Sequence, residues 1–112
     1  MGNEDMVDRS VALVVRQYLQ AAAAAGIHAS RAVLFGSHAR GAADLWSDID
    51  LVVIAPELEP PIDNRLINKL WELRATTDSR VEPIPCGERE WEADRTRPIL
   101  EIARRDGVVL TG

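Results

Sequence analysis

The stretch 36-GSHARGAADLWSDIDLVVI-54 sets two aspartates, Asp48 and Asp50, at the head of a run from Leu51 to Ile54 that otherwise has the composition of a buried strand. Asp is depleted in strands, and a carboxylate removed from water is costly unless something compensates it. In a strand, side chains at i and i+2 share a face, so Asp48 and Asp50 project together while Ile49 and Leu51 point the other way. Two rises of about 3.3 Å put their Cα atoms roughly 6 to 7 Å apart. That separation lets both carboxylates reach a common pair of divalent cations, which sit about 3.5–4 Å apart in two-metal sites. Without cations the two charges would simply repel.

Hard oxygen ligands with no His or Cys cluster beside them favour Mg²⁺ or Mn²⁺ over zinc, and Mg²⁺ usually links protein carboxylates to substrate phosphates. A phosphate holder is therefore expected nearby, and Gly36-Ser37 fits. The run RAVLFGS reads as a short strand, Ala32 to Phe35, ending at Gly36, where a glycine permits close backbone approach. Ser37 offers a hydroxyl and is expected to cap a brief helical turn, SHARGAA, whose first amides face an anion. Arg40, one turn on, adds positive charge. No GxxxxGK[ST] is present, so this is not a P-loop. The signal lies in the joint order: strand, Gly-Ser, short helix, then Asp-x-Asp after ten intervening residues.

Working outward, Val11, Val14, Val15, Tyr18, Leu19 and Ala22 recur at helical spacing between Asp8 and Ala25, with Gly26 as the stop signal. DIDLVVIA is the second strand, PELEPP a loop, and IDNRLINKLWELRATT a helix with Ile62, Leu66, Leu70 and Leu73 on one face. RVEPIPC is a third strand candidate, and Pro83 and Pro85, which lack ladder donors, predict an edge position or a truncated strand. GEREWEADRTRP reads as a short exposed helix and loop. PILEIARRDGVVL starts a helix at Pro98 and breaks at Gly107 before a last strand. Strands alternating with helices predict a mixed sheet with helices packed on it, in the α/β or α+β class. A length of 112 residues suits one domain, residues 1–112, with one core.

Eighteen acidic against thirteen basic residues give a formal charge of −5, which disfavours binding to long nucleic acid through phosphate neutralisation. A nucleotide held through metal ions remains compatible with that charge. The lone Cys86 reads as a small apolar core residue. The opening MGNEDMVDRS is acidic where a secretory signal would be basic, and no apolar run approaches about 18 residues, so a soluble, cytoplasmic protein without membrane contact is expected.

The array GSHARGAADLWSDIDL resembles the GS…DxD signature of the polymerase-β-like nucleotidyltransferase superfamily, and specifically its minimal nucleotidyltransferase branch. Gly36, Ser37, Ala39-Arg40-Gly41, Ser47, Asp48, Asp50 and Leu51 fall where that pattern has them, and the element order is similar across nearly the whole chain. The resemblance implies that Gly36 and Ser37 hold the β- and γ-phosphates of ATP. It implies that Asp48 and Asp50 bind two metals, Mg²⁺ or Mn²⁺, that align a hydroxyl against the α-phosphate, with pyrophosphate leaving. A third carboxylate usually stands on a neighbouring strand; Glu82 is the acidic residue placed to match it, where the family more often has Asp. Its role is open between metal ligand and general base.

Other readings stand beside these. Ser47 and Asp48 could instead cap a turn before the strand; the upstream Gly-Ser and downstream Glu82 favour the metal site. His38 either lines the site entrance or is polar surface, and His28 is read as inert. Trp46 borders a nucleobase pocket or anchors a loop. Trp71 is assigned to the core. Trp91 either contacts a partner or packs on the sheet. Glu101, Arg104, Arg105 and Asp106 read as a solvated helix face, and Lys69 is singled out by nothing in its spacing.

Larger members of the superfamily add a lobe that grips the acceptor, and 112 residues leave no room for one. The resemblance therefore implies a partner protein, an all-helical HEPN-type toxin. On that reading the chain is its antitoxin and moves AMP from ATP onto a toxin tyrosine. Transfer to a small molecule such as an aminoglycoside, and a non-catalytic antitoxin acting by steric masking, are the alternatives.

Overall fold

A computed structural model describes residues 7–44 and 46–111; residues 1–6 of the acidic opening lie outside it. Helix α1, Arg9–Ala24, starts where the Asp8 carboxylate accepts the Ser10 amide at 2.8 Å. Its three- and four-residue spacing buries Val11, Val15, Tyr18, Leu19 and Ala22 in one stripe. Gly26 then adopts φ +91°, which turns the chain so that the Ile27 amide donates back to the Ala22 carbonyl at 2.9 Å.

Four strands follow: β1, Arg31–Phe35; β2, Ile49–Ile54; β3, Val81–Cys86; and β4, Val108–Leu110. They form one sheet in the order β3-β2-β1-β4. β1 runs antiparallel to both β2 and β4, while β2 and β3 are parallel, joined by a crossover through helix α2, Asn64–Glu72. The mixed sheet expected from the sequence is thus present. β3 lies at an edge, and its backbone explains the two prolines. The Arg80 and Cys86 carbonyls accept from Ile49 and Ala55 of the β2 side. By alternation Pro83 and Pro85 face away from β2, where no donor is required.

Strand alternation sorts the apolar residues onto two faces. Ala32, Leu34, Ile49, Leu51, Val53, Val81, Val108 and Leu110 pack beneath α1 and Leu70 of α2. Val33, Phe35, Val52, Ile54 and Cys86 pack against Trp91 of α3, Glu88–Ala93, and against Leu100 and Ala103 of α4, Pro98–Asp106. Helices therefore cover both faces, and by parity Asp50 belongs to the face of Val52 and Ile54.

Trp71 departs from the sequence reading, and Trp91 takes one of its two alternatives. Trp71, assigned to the core, is 41% exposed, because α2 buries only Leu70 fully and turns its other face outward. Trp91, in a segment read as an exposed helix, is only 6% exposed and packs on the sheet, with Glu90 buried beside it. Six-residue α3 is too short for periodicity to reveal its inner face. Among the described residues no helix is long and apolar enough to cross a membrane.

Candidate active site

Strand directions gather the candidate residues at one end of the sheet. The antiparallel register sets Phe35 opposite Asp50, so Gly36 leaves β1 just beside the start of β2. The parallel register sets Asp50 beside Glu82 near the start of β3. Asp48 stands one residue ahead of the β2 ladder, and its neighbour Ile49 is fixed by donation to Arg80 O at 2.7 Å. Asp48 is exposed, whereas Asp50 and Glu82 are half-buried.

Gly36 is required by Asp50 before any ligand is considered. A Cβ at Gly36 would fall 2.3 Å from Asp50 Oδ2, and the residue has φ +74°, a region that side-chain-bearing residues rarely adopt. The Asp50 carboxylate therefore occupies the space that a side chain at position 36 would fill. Its pKa is raised, first by burial and then by the charges of Asp48 and Glu82, with His38 and Arg40 pulling the other way. Three carboxylates thus share one field at the mouth of the sheet.

The segment after Gly36 differs from expectation. It is a three-residue 3₁₀ turn, Gly36–His38, with no side-chain cap, and the Gly36 carbonyl takes both the Ala39 and Arg40 amides at 3.2 Å. Ser37 lies inside this turn instead of capping a helix, because the left-handed Gly36 already fixes the chain direction. Gly41, at φ +69°, ends any further winding. The Ser47 turn does exist, but its partner is Asp44: Ser47 Oγ accepts the Asp44 amide at 3.0 Å and donates to Asp44 Oδ1 at 3.2 Å. Asp48 takes no part in those bonds. His38 Nε2 lies 3.3 Å from Ser47 O, bracing the loop on which Trp46 stands 83% exposed.

Among the described residues, no three Asp, Glu, His or Cys side chains converge tightly enough to cage a metal ion. That donor set fits Mg²⁺ bound together with a triphosphate, since Mg²⁺ is ordinarily held by one or two carboxylates plus substrate phosphates and water. The carboxylates of Asp48 and Asp50, with Glu82 in register beside Asp50, are the groups that would hold it.

Sequence reasoning missed Arg74, whose Nη2 lies 3.7 Å from Glu82 Oε1. Its spacing from Glu82 carries no recognisable motif, and only the fold brings them together. Lys69 is engaged by Glu72 at 3.1 Å, and His28 by Glu57 at 2.9 Å. Cys86 is buried and its thiol is pushed up to about 12, chiefly by desolvation, which removes it as a nucleophile. A cleft of 410 Å³ next to the site is lined by Asp8, Ser10, His38, Gly41, Asp44 and Arg80, among others. A larger depression of 620 Å³, bordered by Ser30, Arg31 and Glu92, lies at the far end of β1 and contains none of the candidate residues.

The fold is thus an α/β mixed sheet that gathers a left-handed glycine turn and the carboxylates of Asp48, Asp50 and Glu82 at one end. The chain belongs to the nucleotidyltransferase family: the model described as "Nucleotidyltransferase domain" matches residues 9–105. Among solved structures it is similar to a "putative nucleotidyltransferase from Sulfolobus solfataricus", with a TM-score of 0.63 and 17% identity over 89% of this chain and 78% of that one, a likeness of fold. Comparison with curated proteins gives no match.

Proposed function

We propose that this nucleotidyltransferase moves AMP from ATP onto a hydroxyl of a partner protein, a tyrosine of an HEPN-type toxin, and so serves as the antitoxin of a toxin–antitoxin pair. The observation that carries the transferase reading is the Asp50 carboxylate seated against the Gly36 Cα, between Asp48 and Glu82. In this reading Gly36 and Ser37 hold the β- and γ-phosphates, and Arg40 adds positive charge beside them. Asp48 and Asp50 hold Mg²⁺ or Mn²⁺, and Glu82 either completes that ligand set or serves as the general base. When bound, the metal neutralises the triphosphate and lowers the cost of charge building on the leaving oxygens.

The acceptor oxygen forms a bond to the α-phosphorus as the bond to the α,β-bridging oxygen breaks, and pyrophosphate departs with that electron pair. The acceptor proton passes to Glu82 or to solvent. In this proposal the acceptor is brought by a second molecule, and the toxin partner rests on the family resemblance of the motif.

The test is transfer of label from α-labelled ATP, with Mg²⁺, to the protein encoded by the adjacent gene. The expected result is label on a tyrosine of that protein, falling by at least about 10²-fold in Asp50→Asn. No label, or undiminished label after Asp48→Asn with Asp50→Asn, defeats the proposal. Protection of cells by that double variant points to masking instead.

A further inference from the structure

Resting on the transferase reading above, we propose that Arg74, braced on the Trp71 ring, is a positioning residue that holds the Glu82 carboxylate at the acidic end of the sheet. Arg74 lies in the 3₁₀ turn Leu73–Ala75 that follows α2. Its guanidinium centre sits 4.9 Å from the Trp71 ring centroid, within cation–π range. Its Nη2 faces Glu82 Oε1 at 3.7 Å and donates to the Ser79 carbonyl, on the loop leading into β3. One planar cation thus joins the end of α2, the loop before β3 and the third carboxylate.

Stability alone does not explain this arrangement. An ion pair as long as 3.7 Å between side chains that both keep some solvent contact contributes little. Arg74 Nε is buried with no hydrogen-bond partner among the described residues, which is a cost. What the arrangement supplies is placement. Glu82 has one more rotatable bond than the Asp that its register beside Asp50 would accommodate, so its carboxylate needs an external restraint to stay in one position. Glu82 also shares the field of Asp50, and Arg74 is a cation that meets its carboxylate. The stack accounts for Trp71, which is otherwise an unexplained exposed ring: its face fixes the guanidinium plane, a service a lysine ammonium would not use in the same way.

The experiment is a double-variant cycle on transfer from α-labelled ATP, using wild type, Arg74→Met, Glu82→Gln and the combination. Arg74→Met is expected to lower kcat on the order of tenfold with KM for ATP unchanged. In the Glu82→Gln background the same change is expected to add less than about twofold, since its route of action is gone. Trp71→Phe should retain activity, and Trp71→Ala should reproduce part of the Arg74 loss; Trp71→Ala replaces Arg74→Met in the cycle if the latter does not fold. Equal losses in both backgrounds would show that Arg74 acts independently of Glu82 and overturn the inference. A raised KM with unchanged kcat would show direct contact with ATP, and would overturn it as well. Wild-type protein that neither transfers label nor binds Mg²⁺ with α,β-methylene-ATP sinks the transferase reading and this inference together. Wild-type transfer with independent losses sinks the inference alone.

Discussion

Asp50 is half-buried between two other carboxylates, and its folded-state pKa lies above the ordinary value of 3.8. For an acid the sign follows directly: between the unfolded and the raised folded pKa the folded chain binds more protons, so stability falls as pH rises through that window. Below the unfolded pKa the group is neutral in both states and costs nothing. In EDTA, Asp50→Asn should therefore match wild type in urea unfolding near the acid end. Towards neutral pH it should become the more stable of the two, as functional-site substitutions often do. A pH-independent difference would show that Asp50 carries no electrostatic cost. The sequence exposed this residue as a misplaced carboxylate, and Gly36 as a glycine at a strand end. It did not show that the two touch, because that contact depends on the β1–β2 register.

Among the elements, β3 and α4 teach opposite lessons. The edge position of β3 was readable because Pro83 and Pro85 each remove a ladder donor, a local property that no tertiary context can restore. Of the charged residues of α4 read as solvated, Arg105 is exposed but Arg104 is not. Arg104 instead turns back over α3: Nη2 donates to Trp91 O at 2.8 Å and Glu90 O at 3.1 Å, and the guanidinium covers the Trp91 ring at 4.8 Å. Those carbonyls end a short helix whose last turn has few partners of its own, so the arginine acts as its cap from a distance. Composition cannot distinguish such a long-reaching arginine from one in water. Arg104→Ala is expected to cost about 2–3 kcal/mol in chemical unfolding. Label transfer per folded molecule should be unchanged, since α3 packs away from the carboxylates. A cost under about 0.5 kcal/mol, the usual surface value, would contradict the capping role.

Over the whole molecule, the alternating pattern of strands and helices was enough to give the mixed sheet. What stayed hidden was the register, Phe35 opposite Asp50 and Asp50 beside Glu82, and the contact of Arg74 with Glu82. The strand pairs join residues distant in sequence, and the pairing order β3-β2-β1 brings them to one end. The central claim is that this end holds a triphosphate through divalent ions, on carboxylates that Gly36 makes room for. Calorimetric titration with α,β-methylene-ATP, in Mg²⁺ and in EDTA, tests it most directly, with Gly36→Ala and Asp50→Asn as variants. The account predicts binding to wild type in Mg²⁺ alone, and its loss in both variants, including the one that leaves every carboxylate in the sequence. Binding that is indifferent to Mg²⁺, or undiminished when the Asp50 seat is filled by a methyl group, would contradict it.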